Sequence, residues 1–294
     1  MEKTSPKKLF SRKRREAVKA RARRINKHDA GFMEKIAAET MYERLAVVNR
    51  EFEHALDLFS QFDEMSKRLE AAENVKKVAR FTGTDLAHRS NAEDEAIAQL
   101  WDENQPLPFY PESLNLITSV FGLHWTNDLP GILYQARTLL KPDGLFLAAM
   151  PGDQTLKELR ECLIAAETEE TGGVSLRIEP FGEVRQYGNL LQRAGLALPV
   201  VDSEQYTIRY KSLRALIDDL RAMGATSTLE QRSAFASRNL FQRCEEIYFE
   251  RFSDADGKIR ATAELVFLSG WKPHESQQKP LKPGSAKASL SDFL

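Results

Sequence analysis

The 294-residue chain is 42% hydrophobic and 29% charged, which is the balance of a soluble globular protein. No apolar run approaches the ~18 residues of a membrane span, so the sequence argues against an integral membrane protein. The two cysteines, Cys162 and Cys244, lack the CxxC spacing of zinc sites, and neither a metal site nor a disulfide framework is expected. The length suits one α/β domain with an added helical piece.

Residues 1–34 form a predicted basic arm. Residues 1–30 hold twelve Lys and Arg side chains but only three acidic ones. Such an arm suits an acidic partner or an anionic membrane surface. A surface helix whose charges are solvated is the alternative interpretation. Nothing beyond this arm indicates a nucleic-acid partner.

The main domain is predicted at residues 35–275 and begins with an amphipathic helix at residues 35–50. A strand at residues 55–58, a helix at residues 62–79 and a second strand at residues 80–87 are expected next. These alternating elements are typical of an α/β domain.

A βαβ unit at residues 114–151 is the strongest pattern in the chain, because two short apolar runs flank apolar residues at helical spacing. The turn before the second strand contains Gly144, which is free to take a positive φ. Two parallel strands joined by a helix predict a sheet whose ligands bind beyond the carboxyl ends of the strands.

The second half of the domain begins with a helix beyond Pro151. A strand at residues 197–210, two helices within about residues 211–253 and a last strand at residues 262–270 are expected to follow. Residues 276–294 are rich in Pro, Ser and Lys, and they are predicted to form a flexible tail.

Three short strings carry a resemblance to a known family: LHWTNDLP at residues 123–130, LKPDG at residues 140–144 and GWKPHESQ at residues 270–277. They resemble class I methyltransferases that use S-adenosylmethionine. The sequence is most similar to the mitochondrial complex I assembly factors described as arginine hydroxylases and to their bacterial homologues. It is more distantly similar to the malonyl carrier-protein O-methyltransferase of biotin synthesis. The resemblance implies a Rossmann-like, seven-stranded, mostly parallel sheet with a helical insertion before the last strand.

The resemblance also implies S-adenosylmethionine as the cofactor. It places Asp57, Leu58 and Ser119 at the cofactor, Asp85 at the ribose and Asp102 near the adenine. A carboxylate suits the ribose because it can accept hydrogen bonds from both hydroxyls. From the residues alone, Asp85 is equally an ordinary turn residue and Asp102 a solvated loop acid.

His124 and Trp125 follow the first strand of the βαβ unit, so both are expected to overhang the reaction centre. His124 is the candidate catalytic residue and Trp125 the candidate substrate-binding residue. A structural contact between the two rings is the alternative interpretation.

One departure from the family leaves the function open. The family has a glycine-rich loop after its first strand, which lets the backbone approach the methionine part of the cofactor. Residues 57–63 contain no glycine but include Phe59 and Phe62. The cofactor can still enter if one ring turns into the core and the other covers the edge of the pocket.

We therefore expect an S-adenosylmethionine-dependent methyltransferase whose acceptor is unknown, with a protein substrate or assembly partner. The alternative is an assembly factor for respiratory complex I, either non-catalytic or arginine-hydroxylating. None of the five histidines has the HxD or HxE spacing of a non-haem iron site. The expected location is the cytoplasm of a bacterium, peripheral to the membrane through the basic arm, or the mitochondrial matrix of a eukaryote.

Overall fold

The computed structural model describes residues 8–60, 62–70, 78–83, 105–231, 237–278 and 285. Helices in these residues are α1 (Arg12–Ile25), α2 (Phe32–Ala46), α3 (Glu64–Glu70), α4 (Leu129–Leu139), α5 (Lys157–Thr171), α6 (Val184–Ala194), α7 (Leu213–Ala222) and α8 (Arg238–Phe252). Strands are β1 (Phe52–Asp57), β2 (Val78–Gly83), β3 (Leu114–Val120), β4 (Leu140–Pro151), β5 (Ala197–Tyr210) and β6 (Ile259–Trp271). A short 3₁₀ helix covers Leu123–Trp125.

The described strands form one sheet in the order β2-β1-β3-β4-β6-β5. The pairs β1–β2, β1–β3 and β3–β4 are parallel, whereas β6 pairs antiparallel with both β4 and β5. The parallel βαβ unit predicted at residues 114–151 is therefore confirmed. The structure is a Rossmann-like α/β fold with six strands among the described residues, and the expected seventh strand is not one of them.

Each face of the sheet is covered by helices, because consecutive strand residues point to opposite sides. Leu56, Ile117 and Phe146 face α4 and α6, whereas Ala55, Leu116 and Leu145 face α2 and α3. All six side chains are at most 1% exposed. The sheet thus forms the middle layer of three, and the loops at the carboxyl ends of its strands remain available for a site.

The first residues of β4 differ from the expectation for Gly144. Asp143 takes the positive φ (64°), and Gly144 serves a different purpose. A Cβ atom on Gly144 would lie 2.8 Å from the carbonyl oxygen of Lys141, a distance that real Cβ contacts do not show. Gly144 is needed because the backbone packs closely there. The left-handed conformation is adopted by Asp143 instead, and Asp tolerates it better than most residues.

A third apolar cluster lies beyond the end of the sheet, where α5, α7 and α8 pack on the ends of β5 and β6. Its buried members include Leu159, Leu216, Cys244, Tyr248 and Ile259. Helices α7 and α8 come between β5 and β6 in the chain, with residues 232–236 outside the described part.

The basic segment before residue 34 packs against the rest of the molecule. Phe10 (6% exposed) forms a small cluster with Trp125 and Leu229, and Ser11 donates its N–H to the carbonyl oxygen of Thr228 at 2.8 Å. Asn127 Oδ1 accepts the N–H groups of residues 9 and 10. A domain boundary at residue 34 stays a prediction, but residues 9–34 are in close contact with the domain.

None of the helices in the described part of the chain has the length and the apolar character that a membrane crossing needs.

Candidate functional site

A cavity of about 130 Å³ lies where β3 and β4 end. Most of its lining is apolar and comes from α2, the 3₁₀ helix, α7, β5 and β6. The polar or aromatic side chains at its wall are Glu34, Phe62, Phe121, His124, Trp125, Thr155, Glu179, Phe181, Tyr210, Thr262 and Glu264. Its position matches the rule that open α/β sheets bind ligands beyond the carboxyl ends of their strands.

His124 is half-buried at the wall of this cavity, within a cage of aromatic rings. Its ring centroid lies 4.3 Å from that of Trp125 and 6.1 Å from that of Phe181. Burial, with the positive charges of Lys19 and Arg15, lowers the pKa of His124 to about 3. Its Nδ1 atom has no hydrogen-bond partner among the described residues. His124 is therefore a neutral imidazole at physiological pH.

Trp125 belongs to a buried hydrogen-bond network. Its Nε1–H donates to Glu179 Oε2 at 2.7 Å, and Glu179 Oε1 accepts both the N–H and the hydroxyl of Thr228, at 2.5 and 2.7 Å. Glu179 is 7% exposed, and burial raises its pKa, although these three donors oppose the rise. The network fixes the loop at Thr228 to the 3₁₀ helix and places a carboxylate at the cavity wall.

Glu264 supplies another buried carboxylate at the cavity. It is 5% exposed, and its Oε2 atom accepts the N–H of Gln154 at 3.0 Å. A Cβ atom on Gly152 would lie 2.2 Å from this oxygen, so only glycine allows the carboxylate this position. Glu264 of β6 is therefore held beside the end of β4, where it lines the cavity.

The predicted cofactor residues at the ends of β1 and β3 are buried and form hydrogen bonds between the two strands. Asp57 Oδ1 accepts the hydroxyl of Thr118 at 2.8 Å, and the hydroxyl of Ser119 donates to the carbonyl oxygen of Leu58 at 2.7 Å. Asp57, Leu58 and Ser119 are all at most 1% exposed. They tie β1 to β3, and none of the three lines the cavity.

Phe59 adopts a conformation that usually belongs to glycine. Its φ is +66°, which costs a residue with a Cβ atom roughly 1–2 kcal/mol. The ring is buried (7% exposed) in the cluster that faces α4. The loop backbone thus turns sharply without a glycine, because the ring gains a place in the core.

Gly122 explains how the Phe59 loop fits against the loop after β3. A Cβ atom on Gly122 would lie 2.5 Å from Cβ of Phe59 and 2.7 Å from the carbonyl oxygen of Leu58. The two loops are therefore in direct contact, and the glycine that permits the close approach is on β3's loop.

Phe62 lies at the edge of the cavity. It packs on α2, with its Cγ atom 3.0 Å from where a Cβ of Gly31 would be. Its N–H donates to both carboxylate oxygens of Glu34 at 3.0 and 3.1 Å, and the N–H of Glu64 donates to Glu34 at 3.4 Å. Phe59 is therefore in the core, whereas Phe62 is one of the residues that line the cavity.

The predicted site residues are thus only partly brought together. His124 and Trp125 share the cavity, whereas Asp57, Leu58 and Ser119 do not line it. Asp85 and Asp102 fall outside the described residues. Sequence reasoning missed Glu34, Glu179 and Glu264, which carry no motif. Within the described residues no cluster of three or more His, Cys, Asp or Glu side chains is placed to hold a metal ion.

Comparison with known families matches residues 64–148 to a family described as a methyltransferase domain. The arginine-hydroxylase NDUFAF5 of Danio rerio is 35% identical over 253 residues, covering 85% of this chain and 78% of that protein. The human arginine-hydroxylase NDUFAF5 is 36% identical over 256 residues, covering 85% and 73%. Both are named as mitochondrial proteins. A malonyl-[acyl-carrier protein] O-methyltransferase of Gallionella capsiferriformans is 32% identical over 170 residues, covering 58% and 56%.

Among solved structures, a protein named as a methyltransferase from Bacillus halodurans C-125 superposes with a TM-score of 0.51 at 14% identity. The superposition covers 80% of this chain and 98% of that one. At this identity the likeness concerns the fold, and it agrees with the Rossmann-like sheet described above.

Proposed function

Because the chain belongs to the family of the arginine-hydroxylases NDUFAF5, we propose that it is an S-adenosylmethionine-dependent enzyme that modifies an arginine side chain of a protein partner. Methyl transfer is the reaction we favour, since residues 64–148 match a methyltransferase domain. The observation that carries the arginine assignment is the pair of buried carboxylates, Glu179 and Glu264, at the wall of an otherwise apolar cavity.

The part of the site that the structure describes suits the methionine end of the cofactor. Glu34 is a carboxylate, and Phe62 and Phe121 are aromatic rings at the cavity edge, groups that attract a sulfonium or ammonium cation. By the family resemblance, Asp57, Leu58, Ser119, Asp85 and Asp102 would hold the cofactor. When bound, S-adenosylmethionine supplies a methyl group attached to a positively charged sulfur.

The chain's own residues would then bind and orient the acceptor. A guanidinium group donates paired hydrogen bonds to carboxylates, so Glu179 and Glu264 would hold it. His124, neutral because of its lowered pKa, can accept a hydrogen bond from it without repelling its charge.

The reaction itself needs little more from the protein than orientation. In methyl transfer a nitrogen–carbon bond forms, the carbon–sulfur bond breaks with its electron pair left on sulfur, and the nitrogen loses one proton. Glu179 suits the role of proton acceptor, because burial has raised its pKa. The apolar walls exclude water, which strengthens each of these interactions.

Hydroxylation of the arginine is the second candidate, favoured by the name that the two NDUFAF5 relatives bear. A non-catalytic assembly factor for respiratory complex I remains the third. In all three cases the partner is a protein. We place the protein in the mitochondrial matrix of a eukaryote or the cytoplasm of a bacterium, peripheral to the membrane.

The finer description of the fold is also part of the proposal. We propose a sheet of seven strands with a helical insertion at about residues 211–253. The strand order, with an antiparallel β6 between β4 and β5, supports it.

A calorimetric titration with S-adenosylmethionine and S-adenosylhomocysteine, up to millimolar concentration, tests the cofactor. The same titration on Phe59→Gly shows whether the missing glycine limits affinity. No binding by either folded protein would leave the assembly role as the surviving candidate.

Mass spectrometry of an arginine-containing peptide incubated with enzyme and S-adenosylmethionine tests the reaction. The added mass of a methyl group supports methyl transfer, and that of an oxygen atom supports hydroxylation. Glu179→Gln should abolish the modification, whereas Glu39→Gln, an exposed acid on α2 paired with Arg68, should leave it unchanged.

A further inference from the structure

A second and larger cavity, which we call the arginine groove, lies between α1, α5, α7 and the segment at residues 177–181. Its volume is about 570 Å³. The floor is apolar, with Leu159 and Leu163 of α5 and Ile217 and Leu220 of α7. The rim carries four arginines: Arg14, Arg21, Arg177 and Arg221.

Arg21 carries a positive charge but makes few hydrogen bonds that would compensate for its burial. Its Nη2 donates to the hydroxyl of Thr226 at 2.5 Å, while its Nε atom is buried without a hydrogen-bond partner among the described residues. Burial, together with the like charges of Arg221 and Arg24, lowers the pKa of Arg21. A crowded cation with an unused donor is costly unless an anion binds beside it.

The other rim arginines are engaged to different extents. Arg177 is paired with the buried Glu167 at 2.6 Å, so it belongs to the framework of the groove. Arg221 forms an exposed pair with Asp218 at 3.0 Å, which contributes little because water competes for it. Arg14 donates one of its five N–H groups to the carbonyl oxygen of Leu229. Arg14, Arg21 and Arg221 therefore have donors for a ligand.

The groove lies directly against the proposed active site. The cavity beside His124 and the arginine groove share five lining residues: Leu156, Glu179, Phe181, Leu220 and Ala225. A chain lying in the groove can therefore place a neighbouring side chain at Glu179.

We propose that the arginine groove binds an extended, acidic polypeptide segment that flanks the side chain entering the cavity. The occupant is a protein segment, because the groove is open, has an apolar floor and adjoins the site at which a side chain is modified. This inference rests on the proposed function and names the substrate feature that the site would select.

The distance between two arginines of the groove predicts the spacing of the acidic residues in the bound segment. Arg14 and Arg21 are two helical turns apart on one face of α1, which is about 10 Å along the axis. A peptide in the extended polyproline II conformation covers about 3.1 Å per residue with three residues per turn, so acidic side chains three residues apart would lie on one face and reach both guanidinium groups. Charge-assisted hydrogen bonds of this kind are among the strong ones.

Fluorescence anisotropy with synthetic peptides tests the proposal without turnover. The probe is a fluorescein-labelled peptide with one arginine and, on one side of it, two glutamates that are three residues apart. The comparison peptide has glutamine in place of both glutamates. We expect the glutamate peptide to bind the full chain about tenfold more tightly, the effect of one charge-assisted hydrogen bond, and increasing salt should reduce the difference.

The variants are Arg21→Gln and Arg221→Gln, with Arg193→Gln, an exposed arginine of α6 outside the groove, as the matched control. Each groove variant should weaken binding of the glutamate peptide about tenfold, and the control should not change it. Arg221 is partly exposed, so its variant remains informative if Arg21→Gln does not fold.

Equal binding of the two peptides, no binding of either, or equal affinities in Arg221→Gln and Arg193→Gln would overturn the proposal. Phosphatidylglycerol vesicles that bind the chain in place of the peptide, and lose binding in Arg221→Gln, would overturn it in favour of a lipid. Peptide binding without any modification of the arginine would instead count against the proposed reaction and leave the groove assignment intact.

Discussion

The carboxylate of Glu34 accepts the backbone N–H of Phe62 with both of its oxygens, at 3.0 and 3.1 Å. Glu34 is only 3% exposed, and it joins α2 to the loop that follows β1. One side chain thus holds in place a segment that the resembling family shapes with glycines.

Replacing Glu34 by Ala should lower the free energy of unfolding by about 1–3 kcal/mol, because buried N–H groups lose their acceptor. Urea denaturation measures the change. Glu39→Ala is the matched control on the same helix, since Glu39 makes an exposed pair with Arg68 and should cost less than about 1 kcal/mol. Equal losses in the two variants would contradict the role of Glu34.

Gly122→Ala should destabilise the protein through a steric clash. Gly122 has an ordinary negative φ of −101°, but its Cβ atom would meet Phe59 Cβ at 2.5 Å, and forcing extra atoms into a packed site costs about 1–3 kcal/mol. Gly188→Ala should have the opposite effect on stability. Gly188 lies within α6, where a Cβ would only touch Val201 at 3.9 Å, so alanine should stabilise by about 0.5–1 kcal/mol. Thermal unfolding of both variants checks the two signs.

His124 should make stability depend on pH. Its pKa is lowered from 6.5 to about 3 in the folded protein, so between these values the unfolded chain binds a proton that the folded chain does not. The free energy of unfolding should therefore fall as the pH is lowered from about 6.5, by up to about 1.4 kcal/mol per pH unit for this group.

Urea denaturation at pH 6.5, 5.5 and 4.5 compares the parent with His124→Asn, which should lose this part of the slope. His28→Asn is the control, since the His28 side chain is 93% exposed. An NMR titration that shows His124 gaining a proton near pH 6.5 would contradict the prediction.

Trp125→Phe should keep an aromatic ring at this position but remove the hydrogen bond that the indole donates. The phenyl ring can still pack on Phe10 and Leu229, but Glu179 loses the indole N–H at 2.7 Å, which should cost about 1–3 kcal/mol. The indole N–H stabilises the charged form of Glu179, so its loss raises the pKa of Glu179 further. The folded carboxyl group then holds its proton more readily than the unfolded one, so the loss of stability should be larger at pH 8 than at pH 5. Trp271→Phe in β6 controls for the loss of an indole, and an equal loss at both pH values would contradict the argument.

The βαβ unit could be predicted from sequence because its signal is local. Apolar residues at helical spacing between two short apolar runs are enough to place β3, α4 and β4, and their parallel pairing is confirmed. The strings at residues 123–130 and 270–277 gave the family, which the NDUFAF5 relatives confirm.

The site could not be predicted to the same depth, because its parts meet only in the folded chain. Glu34 and Phe62 are 28 residues apart, and Trp125 and Glu179 are 54 apart. No local pattern distinguishes these glutamates from the solvated ones. The positive φ of Phe59 was equally hidden, since it depends on burial of the ring and on Gly122 in another loop. The roles of Asp57, Leu58, Ser119, Asp85, Asp102, His124 and Trp125 stay predictions.

The position of β6 has a consequence for how the chain folds. It is the last of the described strands in sequence, yet it lies between β4 and β5 and pairs with residues 145–151 of β4 and with nearly the whole of β5. During synthesis, a nascent chain that ends before Ile259 has all the residues of β4 and β5 but lacks β6, the strand that pairs with both. Both strands then carry open edges that invite pairing with other chains. We therefore expect the growing polypeptide to need protection by chaperones until β6 has emerged, and the parallel strands to become protected from hydrogen exchange before β5 does.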